Sequence, residues 1–313
     1  MMRASPIIVR DEDVEALLPM SVAIEQVERM LAARAEGRCV TPPRHHVAFP
    51  GLGDLVFTVG GVTDGMGPLG FRVYDLFPGS RDQFTAIWED GLSGIVLGSR
   101  LGLRRTGAIG GTAIKHLARA DAKTLAVIGT GPQAHAQIEA ALAVRPIDSI
   151  RVYSRDGVRR TDFARAVESA HSIATIPAVS ARGAVTDADI VITATTSTTP
   201  VLDAAWLKPG VHINMLGPKA RDAYELDPAL ADVMWRIGTD SIDQIRQMTF
   251  FLEGIPANRR VSDLTRLIDE LKDKGRPSES STLFVSVGLA GTEVALGAAV
   301  LAAAKSAGRN PPY

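Results

Sequence analysis

Residues 125–134, LAVIGTGPQA, read as a buried apolar strand, a tight glycine turn and the opening of a helix. That succession is how an α/β protein grips a dinucleotide pyrophosphate, so the stretch predicts NAD(P) binding. In its G-x-G-x-x-A form, Gly129 and Gly131 flank Thr130. The first glycine permits the sharp turn and the second lets the backbone approach the phosphates. Ala134 keeps the helix close to the sheet, the helix N-terminus faces the anion, and Gln133 is placed to reach the pyrophosphate or its waters.

Beyond this turn the chain alternates strand and helix. Strands are predicted at 124–128, 150–153, 190–194 and 211–216, with a further one at 233–237, and helices at 133–144, 161–170 and 263–271. Such alternation implies a parallel sheet with right-handed crossovers. The residues before it differ. Ile24, Val27, Leu31 and Ala35 recur with helical spacing over 21–37, and 39–97 carries short apolar runs broken by Gly and Pro, the pattern of a mostly antiparallel sheet. Residues 106–119 return to helix. The expected fold class is α/β, with a Rossmann-type doubly wound nucleotide-binding domain at 120–288 and a smaller α+β substrate and dimerisation domain at 1–119. A C-terminal helix at about 289–313 packs back onto the smaller domain.

The 313 residues suffice for one large or two ordinary domains, and an apolar content of 46% supplies a folded core. A formal charge of −1 and a pI near 6.6 give no global basic field for nucleic acid or an anionic membrane, so a small soluble metabolite is the expected partner. The single cysteine, Cys39, excludes an intramolecular disulfide and a multi-cysteine zinc site, and suits a reducing cytoplasm. The opening MMRASPIIVRDEDVEALL meets acids too early for a signal peptide, so a cytoplasmic protein is expected. Residues 283–304, LFVSVGLAGTEVALGAAVLAAA, carry Glu293 as their only charge. Their many small residues and the preceding SESST suit a buried helix rather than a membrane span.

The second strand of the nucleotide domain ends in Ser154-Arg155, where an NAD-selective site places an acid for the ribose hydroxyls. A serine and a guanidinium suit a 2′-phosphate and favour NADPH over NADH. The competing reading makes Arg155 a solvated loop charge and gives Asp156 the acid's role one residue late. After the fourth strand, Thr195, Thr196 and Ser197 form a polar loop at the carboxyl end of the sheet. Their hydroxyls could bond ribose or the nicotinamide amide, or satisfy their own backbone as a Ser/Thr turn.

TPPR at 41–44, GFRVYDLFP at 70–78, LRRTGA at 103–108, VIGTGPQA at 127–134, ELDP at 225–228 and LFVSVGLA at 283–290 follow one another in a recognisable order. In these segments the chain resembles the ornithine cyclodeaminase/mu-crystallin family over nearly its whole length. That resemblance implies a homodimer joined through its N-terminal sheets, an active site between the two domains, and chemistry at an amino-acid Cα in which a hydride passes between Cα and nicotinamide through an imine. It places Arg44 and Arg105 on carboxylate-binding positions, a task that suits arginine's rigid charged fork. It places Ser286 and Gly288 in a segment that closes over the nicotinamide, although Ser286 could equally be a helix-start residue.

Two departures from the family pattern bear on chemistry. Where a G-F-K-type motif usually has lysine, this chain has Arg72, which can hold an acid group but cannot act as a general base. Aligning on Gly217 and ELDP puts Lys219 where cyclodeaminases and alanine dehydrogenases carry an aspartate for the amine or its attacking water. A cation there disfavours deamination, with Asp222 three residues on as the one nearby acid that could swing in. Lys219 could donate a proton, hold a second acid group, pair with a cofactor phosphate or face solvent.

His45 and His46 point to opposite faces of a strand and cannot share a metal. Asp187 and Asp189 read as solvated turn acids. The leading expectation is a reductase of a ketimine or cyclic imine carboxylate, with Arg44, Arg72, Arg105 and Lys219 at its catalytic site. The alternatives are an ornithine cyclodeaminase that releases ammonia and a degenerate binder that keeps the cofactor.

Overall fold

The computed structural model describes residues 5–63, 67–80, 82–247, 253, 255 and 261–309. The chain forms two compact units, residues 1–108 with 288–313, and residues 109–287. Their division falls inside the helix Arg100–Leu117, not at the 119/120 boundary expected from the pattern. Packing is the reason: Ile114 in that helix and Ala118 just beyond it are core residues of the second unit, together with Leu125 and Val127. The helix starts at Arg100 rather than at 106 because the Asp11 carboxylate accepts the backbone N–H of Ser99 and of Arg100, at 3.2 and 2.8 Å.

In the first unit the strands are β1 (Ile7–Val9), β2 (Cys39–Val40), β3 (His45–Phe49), β4 (Gly53–Val62), β5 (Leu69–Asp75), β6 (Gln83–Glu89) and β7 (Gly91–Leu97). They form one sheet in the order β1-β7-β6-β5-β4-β2, with β3 also on β4. Only the β1–β7 pair is parallel. Register sorts the side chains onto two faces, since residues opposite one another share a face. Val56, Thr58, Arg72, Thr85 and Ile87 lie on one face, which is packed against the helix Thr292–Ser306, where Gly297 meets Ile87. Phe57, Val59, Leu69, Phe71, Phe84 and Trp88 lie on the other. There Val59 is 53% and Leu69 51% exposed, beside the Phe71–Trp88 ring pair at 5.6 Å.

The second unit is built on β8 (Thr124–Ile128), β9 (Ser149–Tyr153), β10 (Ala174–Pro177), β11 (Ile190–Thr193), β12 (His212–Met215), β15 (Arg236–Thr239), β16 (Val261–Asp263) and β17 (Thr282–Val285), with a small hairpin of β13 (Lys219–Ala220) and β14 (Ala223–Tyr224). The main sheet is parallel throughout, in the order β10-β9-β8-β11-β12-β17-β15-β16. Both faces are covered. Leu125 and Val127 enter a core with Ile138 and Phe163, while Ala126 and Ile128 enter another with Leu226 and Met234. This is the doubly wound α/β arrangement expected, with its switch of strand order between β8 and β11.

Some elements differ from the pattern. The run 283–304, read as suiting a buried helix, begins as strand β17, and the last helix, expected from about 289, starts at Thr292. β17 is buried between β12 and β15 on both faces, and a strand so placed is apolar at every position, which periodicity cannot distinguish from buried helix. Pro228–Val233 is a 3-10 turn, which delays the next strand to Arg236. The helix after β9 begins at Gly157 because Asp156 caps it. Among the described residues no helix is long and apolar enough to cross a membrane.

Asp189 is buried, not a solvated turn acid. Its carboxylate accepts from Arg119 and Lys208, both at 2.6 Å, and from the backbone N–H of Lys123 and Thr124, at 2.9 and 3.0 Å. Burial alone would raise its pKa, but the Lys208 bond and these N–H donors outweigh burial and hold it far below the carboxylate range. Asp189 therefore pins the start of β8 to that of β11, at the edge remote from the glycine turn. Asp189→Asn is expected to lower unfolding free energy at pH 7 by roughly 1.5–3 kcal/mol. Because the folded pKa is depressed, the contribution is complete above the unfolded value near 3.9 and is lost as pH falls further. Urea unfolding should therefore show the gap between the two proteins narrowing below about pH 4.

Candidate functional site

Parallel register collects the segments that the sequence marks as candidate nucleotide contacts along one edge of the second unit. Ile128 pairs with Tyr153 on one side and Thr193 on the other, Thr193 with Met215, and Met215 with Val285. Gly129 to Gln133, Ser154–Arg155, Thr195 to Ser197, Gly217 to Lys219 and Ser286 therefore all follow the carboxyl ends of adjacent strands, where open α/β sheets bind ligands.

Gly129 has φ +118°, and a Cβ there would collide with the carbonyl of Ala194, so both conformation and close approach demand glycine. Gly131 is different. Its φ is −93°, any residue could adopt it, and nothing lies within 4 Å of where its Cβ would project. The space in front of the helix Pro132–Val144 is thus kept clear by glycine alone, with Thr130 beside it. Gln133 Oε1 is buried there without a hydrogen-bond partner among the described residues. A cradle a side chain would fill, at a helix N-terminus, fits a dinucleotide pyrophosphate, and the orphaned acceptor beside it fits a water that accompanies one.

The Asp156 carboxylate accepts the N–H groups of Val158 and Arg159 at 2.9 and 3.0 Å, which makes it a helix cap. Ser154 Oγ donates to the Asp156 carbonyl at 3.0 Å, and Arg155 is exposed.

The threonine loop divides. Thr195 Oγ1 donates to Glu225 at 2.9 Å and accepts the Ser197 N–H at 3.1 Å, while Ser197 Oγ donates to the Thr199 carbonyl at 2.7 Å. These two hydroxyls serve their own loop, and of the three only Thr196 lacks a protein partner among the described residues.

Glu225 was not singled out as a site residue, although it opens ELDP. Its fully buried carboxylate accepts from Thr193 Oγ1 at 2.8 Å, Thr195 N at 2.9 Å, and the N–H groups of Leu216, at 3.1 Å, and Gly217. Gly217 has no room for a Cβ beside this carboxylate and the Thr195 carbonyl. Lys219 is only 7% exposed, and its Nζ donates to the carbonyls of Leu216 at 2.9 Å and Gly217 at 2.6 Å. It does not face solvent: its ammonium holds the carbonyls of the same two residues whose N–H groups Glu225 holds. Asp222 is exposed at the turn of the β13–β14 hairpin. Ser286, at the end of β17, lies before Gly291 and the helix start at Thr292, so it is not a helix-start residue.

In the first unit three arginines from distant segments converge. Arg72 comes from β5, Arg105 from the helix Arg100–Leu117, and Arg44 from the loop before β3. The element joining the first two is Glu293, in the first turn of the C-terminal helix. Its Oε1 accepts from Arg72 Nη1 and Arg105 Nε, each at 2.8 Å. Arg72 also donates to Gln83 and lies over the Tyr74 ring at 4.4 Å, and Arg44 donates to the Tyr74 hydroxyl at 3.3 Å. Gly288, with φ +89°, sits against the guanidinium groups of Arg44 and Arg105.

Burial would raise the Glu293 carboxyl, but Arg105 and Arg72 hold it down to about 2, so it is ionised at working pH. Burial lowers the Arg72 pKa, opposed by Glu293. Three guanidinium groups against one carboxylate leave an excess of two positive charges among these four side chains, a field suited to an organic acid. The sequence signal for Glu293 was its position as the one charge in an apolar run.

His45 and His46 are both exposed, with His46 against Asp54 at 3.0 Å, and no group of metal-ligating side chains exists among the described residues.

Three comparisons bear on this geometry. The chain is 30% identical over 298 residues, covering 89% of itself and 90% of its relative, to Delta(1)-pyrroline-2-carboxylate reductase of Bacillus cereus. The structure of Thermococcus litoralis Delta(1)-pyrroline-2-carboxylate reductase in complex with NADH and L-proline superposes with TM-score 0.87 at 27% identity, covering 98% and 100% of the two chains. An archaeal alanine dehydrogenase dimer with bound NAD gives TM-score 0.85 at 26% identity, covering 98% of each. The description of the ornithine cyclodeaminase/mu-crystallin family matches residues 5–308. The chain belongs to the ornithine cyclodeaminase/mu-crystallin family.

Proposed function

We propose that this chain is an NADPH-preferring imine reductase that converts a small ketimine or cyclic imine carboxylate, of the pyrroline-2-carboxylate type, into an amino acid. The observation that carries this reading is the engagement of Lys219. At the position where the family resemblance expects the aspartate of deamination stands an ammonium bound to the carbonyls of Leu216 and Gly217. Neither it nor Arg72 can take a proton from an ammonium or water in that state. Reduction of an iminium needs no such base, because the substrate nitrogen already carries the proton that the amine product keeps. A nicotinamide cofactor, when bound, would supply the hydride for that reduction.

The chain's own residues supply orientation. Arg44 and Arg105 hold the substrate carboxylate, and Glu293 keeps Arg105 and Arg72 in place. Gly129 to Gln133 hold the pyrophosphate, with Thr196 and Ser286 left for the ribose and amide. The preference for NADPH is supported by Arg155 and by the use of Asp156 as a helix cap. The homodimer is supported by the uncovered apolar face of the first unit's sheet, where Val40, Val59 and Leu69 are 51%, 53% and 51% exposed. A second copy of the same face would cover it, in keeping with an archaeal relative that is a dimer. The free thiol of Cys39 suits a cytoplasmic setting.

Loss of nicotinamide absorbance with Δ1-pyrroline-2-carboxylate tests the activity. Turnover is expected, with kcat/KM for NADPH at least tenfold above that for NADH. Release of ammonia from ornithine without net cofactor change would replace this reading with a cyclodeaminase, and cofactor binding without turnover on either substrate would replace it with a binder. Arg105→Lys should raise KM for the imine acid by roughly 10- to 100-fold with a smaller fall in kcat, because one charged hydrogen-bonding fork is worth about 1.5–3 kcal/mol. Light scattering should find a dimer that Val59→Asp with Leu69→Asp converts to monomer; an unchanged mass would place the contact elsewhere.

A further inference from the structure

The turn after β9 holds a second guanidinium that the sequence pattern does not reveal. Arg160 lies in the first turn of the helix Gly157–His171, and helical side chains lean back toward their N-terminus. Its Nη1 donates to the Ser154 carbonyl at 2.7 Å and its guanidinium stands 5.5 Å from the centre of the Tyr153 ring. It is thus moored over residues 153–157, the stretch where a Rossmann-type site reads the adenosine ribose.

The mooring leaves one edge of the group without a protein acceptor. Among the described residues Nε is buried and has no partner, and Nη2, the other nitrogen of that side-on edge, has none either. A buried donor left unsatisfied is costly, and an arginine's side-on edge matches two oxygens of a phosphate. The nearby acids do not supply that acceptor: Asp156 is occupied as the helix cap, and Asp162 faces Arg165 at 3.7 Å. Arg155, on the same turn, makes no hydrogen bond or ion pair with the described residues either. Two cations without acid partners thus border the site of the 2′ position.

We infer that Arg160 is a specificity-determining residue that binds the adenosine 2′-phosphate of NADPH together with Arg155, through the Nη2 side of its guanidinium. The inference rests on the NADPH reading above and names a residue that carries it. Tyr153 and the Ser154 carbonyl hold the guanidinium in advance of binding, so little side-chain entropy is lost when the phosphate arrives.

Titration calorimetry without substrate tests this on the whole protein, with NADPH, NADH, 2′,5′-ADP and 5′-AMP as probes. Arg160→Ala should weaken NADPH and 2′,5′-ADP about tenfold while NADH and 5′-AMP change less than twofold, and Arg160→Lys should recover part of the loss. Equal weakening of NADPH and NADH would make Arg160 a structural residue of the turn and overturn the inference. A preference for NADPH that survives Arg160→Ala would overturn it while leaving the NADPH reading intact. Wild-type protein that binds NADPH and NADH equally would overturn both, and binding of neither dinucleotide would remove the reductase reading as well. A far-ultraviolet circular dichroism melt of each variant separates loss of fold from loss of the phosphate contact.

Discussion

The buried carboxylate of Glu225 is the constraint on which the loops of the second unit depend. A carboxyl group away from water is tolerated only when its oxygens are filled with donors. Here the donors come from two strand ends, Thr193 and Thr195 after β11, and Leu216 and Gly217 after β12. The two loops cannot move independently without leaving buried carboxyl oxygens short of donors. Lys219 then takes the carbonyl oxygens of Leu216 and Gly217, so both sides of those residues' backbone are held. Parallel pairing brings the loops to one edge, and this clamp gives that edge a fixed shape.

The first unit faces a different electrostatic problem. Arg72 and Arg105 are drawn close to one another and away from water, and each would oppose the other's charge without a counterion. Glu293 resolves this with one oxygen shared between them. Its position depends on the helix start: Gly291 adopts φ +84°, and a Cβ there would press on Met30 Cε at 2.7 Å and on the Gly61 nitrogen at 2.9 Å. The turn that brings the chain into its last helix therefore also fixes the carboxylate that organises the arginines. An arginine in place of the usual lysine removes a proton carrier and adds a fork able to bond Glu293 and Gln83 together.

The nucleotide half was the more legible from sequence. Strand 124–128 lies where the apolar run puts it, and Gly129 and Gly131 stand at the turn, because backbone conformation and close approach admit few residue types there. Arg44, Arg72 and Arg105 were legible only through resemblance; nothing in their spacing distinguishes them from surface arginines. Their meeting was not legible at all, since Glu293 lies 221 residues from Arg72 and 188 from Arg105. Thr195 and Ser197 were candidates for contacting ligand, yet their hydroxyls are taken by Glu225 and by Thr199. A hydroxyl's availability depends on neighbours that local sequence does not name.

By itself, then, the sequence determined the class of fold, the order of most of its elements and the glycine turn after β8, because these follow from short-range periodicity and from what glycine alone permits. It also put a lysine rather than a carboxylate at position 219. Only the tertiary structure decided which charges are partnered, that Lys219 and Asp189 are buried, that Asp156 caps a helix, and that 282–285 is strand rather than helix. Burial and hydrogen bonding are long-range properties of the packed chain, and they decide whether a titratable or polar side chain is spent on the fold or left for a ligand.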